Sequence, residues 1–256
     1  MKIAGKTVVI TGASSGLGAA LAQRMWRAGA ARLILLGRHE ARLNQVVRAL
    51  QADGADAHAV LADLSHEDDV HAVVDWLRAH AGPVDILVNN AGAGAWNFLE
   101  DSTFAEIREA MAVPYLAAAW LSSALLPAMR QRQRGHIVNI GSVAGNYPYP
   151  GGNVYGGTKA FIKQFSRNLR ADLLGTRVRV TNVEPGMAES EFSLVRFKGD
   201  DGKAAQVYQN VQPLQPEDVA DTVFWAATRP EHVNINSVEL MPVCQAFAPF
   251  AISRDG

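Results

Sequence analysis

The stretch Thr7–Gly18, TVVITGASSGLG, constrains this chain more than any other. Five residues rich in β-branched side chains run straight into a turn carrying Gly12, Gly16 and Gly18. An Ala/Leu-rich helical pattern then continues to about Ala28. A strand, a glycine-rich turn and a helix N-terminus together form an anion site. The glycines permit a tight turn and close backbone approach, while free N–H groups and the helix dipole face a pyrophosphate. Placed between strand and helix, the pattern points to dinucleotide binding, with Gly12, Ser14, Ser15, Gly16, Leu17 and Gly18 as candidate cofactor residues.

The rest of the chain repeats that alternation. Arg32–Leu36, Ala57–Leu61, Asp85–Val88, His136–Ile140, Arg177–Val183 and Ser237–Met241 read as strands, with helical patterns between them. This predicts an α/β fold with a doubly wound parallel sheet, whose ligand crevice lies beyond the carboxyl ends of the strands. Gly12, Arg38, Asp63, Asn89 and Ser142 all fall at such ends. Phe161, Phe165, Leu169 and Leu173 form a core stripe on one helix, leaving Lys163, Arg167 and Arg170 to solvent. Periodicity is lost from Met187 to Leu214, which reads as an irregular lid rather than a second domain. The expectation is one domain over residues 1–256.

Composition narrows the function classes. Hydrophobic residues make up 48% and charged residues 19%, which gives a sizeable core. The formal net charge is −1 and the charges are interspersed, so neither nucleic acid nor an acidic membrane is an expected partner. Ala110–Met129 is uncharged and long enough to span a bilayer. Pro114, Pro127, Ser122 and Ser123 interrupt it, so a helix buried in the core or between subunits is expected instead. A single cysteine, Cys244, excludes an internal disulfide, and with the N-terminus entering a strand directly no signal peptide is expected. A cytoplasmic location is expected.

Two further patterns carry chemistry. NAD-selective sites place an acid near the end of the second strand, yet none occurs between Ala30 and His39. Arg38 stands there, suited by charge and forked donors to a 2′-phosphate, with Ser14 within reach. NADP(H) is the expected cofactor. In GSVAGNYPYPGGNVYGGTK, Tyr155 and Lys159 are spaced i and i+4, so a helix puts them on one face. An ammonium beside a phenol favours the phenolate, and bringing tyrosine into use near neutral pH takes ~3–4 kcal/mol. Ser142, at the end of an apolar strand, is placed to donate a hydrogen bond to a reacting oxygen.

Taken together, TGASSGLG (11–18), NNAG (89–92), Ser142, YGGTK (155–159) and Pro185-Gly186 resemble the short-chain dehydrogenase/reductase family over essentially the whole chain. The resemblance implies a seven-stranded Rossmann-type fold, hydride transfer to or from nicotinamide, no metal, and a homotetramer. It casts Tyr155 as general acid/base, Ser142 as the donor that polarises the reacting oxygen, and Lys159 as the group that lowers the tyrosine pKa and holds the nicotinamide ribose. Asp63, Leu64, Asn90, Ala91, Gly92, Pro185, Gly186 and Ser190 would complete the cofactor site.

GGNVYGGTKAF (151–161), EFSLVRFKGDDGKA (191–204) and HVNIN (232–236) look like the NADP-dependent 3-hydroxy acid dehydrogenases within that family. That likeness implies a small-molecule substrate whose carboxylate is met by a lid cation, Arg196 or in reserve Lys198. One departure stands out. Where the family usually carries an asparagine whose main-chain carbonyl holds a relay water, this chain has Pro114, followed by Ala117 in place of a glycine. Proline keeps the carbonyl and is expected to kink the helix by losing the bond to residue 110.

Overall fold

A computed structural model describes residues 2–92, 97–189 and 208–247. Seven parallel strands form one sheet: β1 (Thr7–Thr11), β2 (Arg32–Gly37), β3 (Ala57–Leu61), β4 (Ile86–Asn89), β5 (Gly135–Ile140), β6 (Val178–Pro185) and β7 (Ser237–Leu240). Their order is β3-β2-β1-β4-β5-β6-β7, so the direction of winding reverses between β1 and β4. The helices are α1 (Gly16–Arg27), α2 (Glu40–Ala52), α3 (Glu67–Trp76), α4 (Phe104–Met111), α5 (Ala118–Gln131), α6 (Asn153–Asp172) and α7 (Pro216–Ala227).

The inner strands are apolar on both faces because helices cover both. Val8, Ile10, Leu33 and Leu35 pack with Leu21, Val219 and Val223 of α1 and α7. Val9, Ile34, Leu87 and Ile137 pack with Leu121 and Leu169 of α5 and α6. A buried polar row crosses this second layer. Asn89, Asn139 and Asn182 are register partners on β4, β5 and β6. Asn89 Nδ2 donates to Asn139 Oδ1 at 2.8 Å and to Ser122 Oγ of α5 at 3.1 Å. Asn139 Nδ2 donates to Ser166 Oγ of α6 at 2.8 Å. At the amino ends of the strands, away from the crevice, buried Asp85 accepts from Arg134 Nε at 2.9 Å and from the Thr7 N–H at 3.2 Å.

The helix expected over Ala110–Met129 is divided. Between α4 and α5, Ala112–Ala117 forms a π-helical turn, and the Ala118 N–H donates back five residues to the Val113 carbonyl. Pro114 has no N–H to continue an α-helical ladder, and a widened turn re-routes the surrounding bonds. The whole segment, Phe104–Gln131, is long and apolar enough to cross a bilayer. In the fold, Leu121 and Met129 instead lie fully buried against the sheet, with Phe104, Met111, Leu116 and Trp120 exposed.

Candidate active site

The reversal between β1 and β4 opens a cleft of about 630 Å³ beyond the strand ends, as doubly wound sheets do. Its first wall is backbone. Gly12 has φ +66° and Gly16 φ +50°, the region where a Cβ is disfavoured. A Cβ on Gly18 would overlap the Gly12 carbonyl, so helix α1 can approach the turn only through glycine. The turn after β4 is laced to this loop. Thr11 Oγ1 accepts from the N–H groups of Asn90 and Ala91 at 3.0 and 2.9 Å. Asn90 Nδ2 returns bonds to the carbonyls of Thr11 and Gly12 at 3.0 and 3.2 Å. Ser14, Ser15, Leu17, Asn90, Ala91 and Gly92 therefore line one continuous surface.

At one end of the cleft stands Arg38, half exposed, with its guanidinium 3.8 Å from Asp63 and 3.6 Å from Glu109. Asp63 is partly buried, which by itself raises its pKa. Bonds from the Ser65 hydroxyl (2.7 Å) and N–H (3.0 Å) outweigh burial and hold it below the usual carboxylate range. Leu64 lines the same end, as does Arg42 in the first turn of α2. Sequence reasoning passed over Arg42; its place in the first turn of a helix that starts two residues after Arg38 was the signal available. A Cβ on Gly37 would lie 3.5 Å from Ser14 Oγ, so the β2 terminus faces the glycine loop. These residues fit a dinucleotide carrying a 2′-phosphate: two arginines converge where an NAD site would hold its acid, and the pyrophosphate wall is bare backbone.

The other end gathers Ser142, Tyr155 and Lys159. The turn after β5 lies directly on α6, because Gly145 presses against the main chain at Lys159 and Ala160, where a Cβ would come within 2.8 Å. Ser142 is extended, accepts from the Ala144 N–H at 3.1 Å, and donates weakly to the Pro185 carbonyl at 3.4 Å. Lys159 is buried and donates to the Ile140 carbonyl at 2.8 Å. Burial lowers its pKa to about 8. Its Nζ lies 5.6 Å from the Tyr155 ring centre and beside Gly92. Below it, a second cavity of about 10 Å³ is lined by Asn89, Val113, Pro114 and Ile140, roughly the room one water needs. The Asn89 Oδ1 is buried without a protein partner among the described residues.

Pro185 and Gly186 close the third side, and here one sequence expectation needs correction. Lys163 does not face solvent. Its Nζ pairs with buried Glu184 at 3.2 Å and donates to Asn146 Oδ1 at 2.6 Å. A carboxylate buried next to the Pro185 turn needs a counter-charge, and α6 supplies it one turn after Lys159. Ser190, Arg196 and Lys198 lie outside the described residues. The described ends of the stretch expected as a lid meet at the cleft: the Glu189 N–H donates to the Leu214 carbonyl at 2.7 Å, and Tyr208 Oη to the Ala188 carbonyl at 3.0 Å. Gln245 and Phe247, from a tail that sequence reasoning left unassigned, also line the cleft.

Comparison with known proteins gives concordant results. A family model described as short chain dehydrogenase matches residues 6–199. The chain is 44% identical over 249 residues to the NADP-dependent 3-hydroxy acid dehydrogenase YdfG of Escherichia coli (strain K12), covering 96% of this chain and 99% of that protein. It is 45% identical over 250 residues to sulfoacetaldehyde reductase 2 of Chromohalobacter salexigens, covering 97% and 98%. Among solved structures, the closed form of serine dehydrogenase complexed with NADP+ superposes with a TM-score of 0.92 at 42% identity, over 97% of this chain and 100% of that one.

Proposed function

The chain belongs to the short-chain dehydrogenase/reductase family, and on that premise we propose that it interconverts a small 3-hydroxy acid and its 3-oxo acid or semialdehyde. It is an NADP-dependent oxidoreductase acting on CH–OH groups. The observation that carries the residue-level reading is the convergence of Ser142, Tyr155 and Lys159 at the end of the cleft opposite Arg38.

When bound, NADP(H) gives or takes the hydride at the carbon bearing the oxygen. Tyr155 delivers its phenolic proton to that oxygen during reduction and removes it during oxidation. Ser142 exchanges its long bond to the Pro185 carbonyl for one to the reacting oxygen. Lys159 steadies the phenolate. Its ammonium lies 5.6 Å from the ring centre, and a positive charge beside a phenol favours the phenolate that general-base work requires. With its pKa lowered to about 8, Lys159 remains mostly protonated at neutral pH. The glycine loop and the N–H groups of the Asn90–Gly92 turn would hold the pyrophosphate, Arg38 and Arg42 the 2′-phosphate, Asp63 and Leu64 the adenine end, and Pro185 and Gly186 the nicotinamide end. Arg196 remains the candidate lid cation for the carboxylate, and Ser190 a candidate cofactor contact.

A second reading keeps the chemistry and exchanges the carboxylate for a sulfonate, on the strength of the sulfoacetaldehyde reductase relative. Initial rates of NADPH absorbance with 3-hydroxy acids, hydroxyalkyl sulfonates and neutral secondary alcohols separate these. A preference for neutral alcohols, or for NAD over NADP, would overturn the proposal. The same reading places the enzyme in the cytoplasm as a homotetramer. Exposed Phe104, Met111, Leu116 and Trp120 along α4–α5 give such an assembly an apolar face, and a micromolar monomer in sedimentation would exclude it.

A further inference from the structure

The tail after β7 turns back over the strand that carries Pro185 and Gly186, and it is pinned at several points. The Gly186 N–H donates to the Leu240 carbonyl at 2.7 Å, and the Gln245 N–H to the Pro242 carbonyl at 2.9 Å. Phe247 packs on Tyr147 with ring centres 4.6 Å apart. Between these anchors, Gln245 Oε1 accepts the Met187 N–H at 2.7 Å. Gly186 lies directly beneath the carboxamide, where any Cβ would collide with it.

That contact fixes which way round the amide sits. A backbone N–H can only donate, so the atom meeting it must be the carbonyl oxygen, and the NH₂ group takes the other position. Among the described residues this NH₂ donates to nothing, and Gln245 lines the cleft together with Ser142 and Tyr155. Two oriented donors on a braced side chain are thus offered to the cleft at no further cost in ordering.

We propose that Gln245 is a specificity-determining residue whose NH₂ group binds the acidic head of the substrate; this rests on the hydroxy-acid reading above. The reach agrees. Ser142 Oγ touches the Pro185 carbonyl, and Gln245 touches the N–H two residues on. Those residues span at most ~7 Å of chain. A three-carbon hydroxy acid is ~4–5 Å from hydroxyl to carboxylate oxygen, and a hydrogen bond of about 2.8 Å at each end lets it bridge the two sites. A neutral alcohol gives these donors no acceptor and leaves them covered and unpaired, which disfavours it.

Gln245→Glu tests this, because it keeps the shape and the acceptor for the Met187 N–H while replacing the donors with a negative oxygen. The readout is the ratio of kcat/KM for 3-hydroxypropionate to that for 1,3-propanediol, with NADPH affinity from fluorescence titration as the check on folding. The ratio should fall 10- to 100-fold, the worth of a hydrogen bond to a charged group, and mainly through KM for the acid. Gln245→Met, which removes donors without adding charge, should fall in the same direction by less. An unchanged ratio in a variant that binds NADPH normally overturns the role of Gln245. A wild-type enzyme that prefers the diol overturns the hydroxy-acid reading itself, and this inference with it.

Discussion

On the β1–β3 side, the wall that would meet the pyrophosphate is main chain: at Gly12 and Gly18 the loop packs directly on helix α1 and on the turn after β4, where a Cβ would collide with backbone. Past β5 the wall is braced by side chains. Tyr147 is met by Phe247 and the Met187 N–H by Gln245 in the cleft itself, and behind them Glu184 is met by Lys163 and Ser237, and Asn146 by Glu239. The first construction suits a ligand part that never changes, because peptide N–H groups are independent of side-chain identity. The second can be retuned one residue at a time. Substrate selectivity should therefore respond to substitutions distant in sequence, and cofactor phosphate binding only to those in the local loops.

The largest effect expected lies where the two constructions meet. Tyr155→Phe keeps the ring packing and removes the transferable proton. Turnover should fall about 10²–10⁴-fold while NADPH titration is little changed; near-normal kcat would displace the catalytic centre. Next comes Lys159. Burial lowers its pKa from 10.5 to about 8, so below pH 8 the folded chain carries a buried charge at a cost. That cost is relieved as pH rises through the window from about 8 to 10.5. Urea unfolding of the cofactor-free wild type should gain on the order of 3 kcal/mol across this window relative to Lys159→Met. Parallel pH profiles for the two proteins would contradict it.

Arg38→Leu probes the local-loop side. KM for NADP should rise roughly 10–100-fold, the loss of a charged hydrogen-bonded contact, while KM for NAD changes little. Equal effects on both cofactors would remove the 2′-phosphate from Arg38. Smallest is Pro114→Asn, which restores the residue usual at this point in the π-helical turn. A modest rise in kcat, greatest where proton delivery limits the rate, with no loss in thermal midpoint, is expected. A destabilised mutant with unchanged kcat would instead assign Pro114 to holding the widened turn.

The legible part of the molecule follows the same division. Strands such as TVVIT and the turn TGASSGLG announce themselves because their physics is local: β-branched runs, glycines and a following helix. β1 and β3 begin and end where the sequence places them, and β6 runs two residues further, through Pro185, where β7 pairs with it. The π-helical turn was half legible, since Pro114 marks a broken ladder without saying how the helix repairs it. Lys163 was misplaced because nothing near it in sequence reveals Glu184, twenty-one residues on. Gln245 was invisible for the same reason at fifty-eight residues.

The row of asparagines across β4, β5 and β6 has a consequence for how high the reactive groups stand. Strands that are apolar on both faces carry no alternation to tell one pairing from the next, so sliding by a residue would cost them little burial. Asn139 removes that indifference. Its amide is satisfied on both sides, by Asn89 and Ser166, only in the observed alignment, and a slip would strand buried amides at ~1–3 kcal/mol each. Ser142 lies three residues beyond Asn139 on β5, and Lys159 seven before Ser166 on α6. The Asn139–Ser166 bond thus acts as a vernier, levelling β5 against α6 so that serine and lysine stand at the same height.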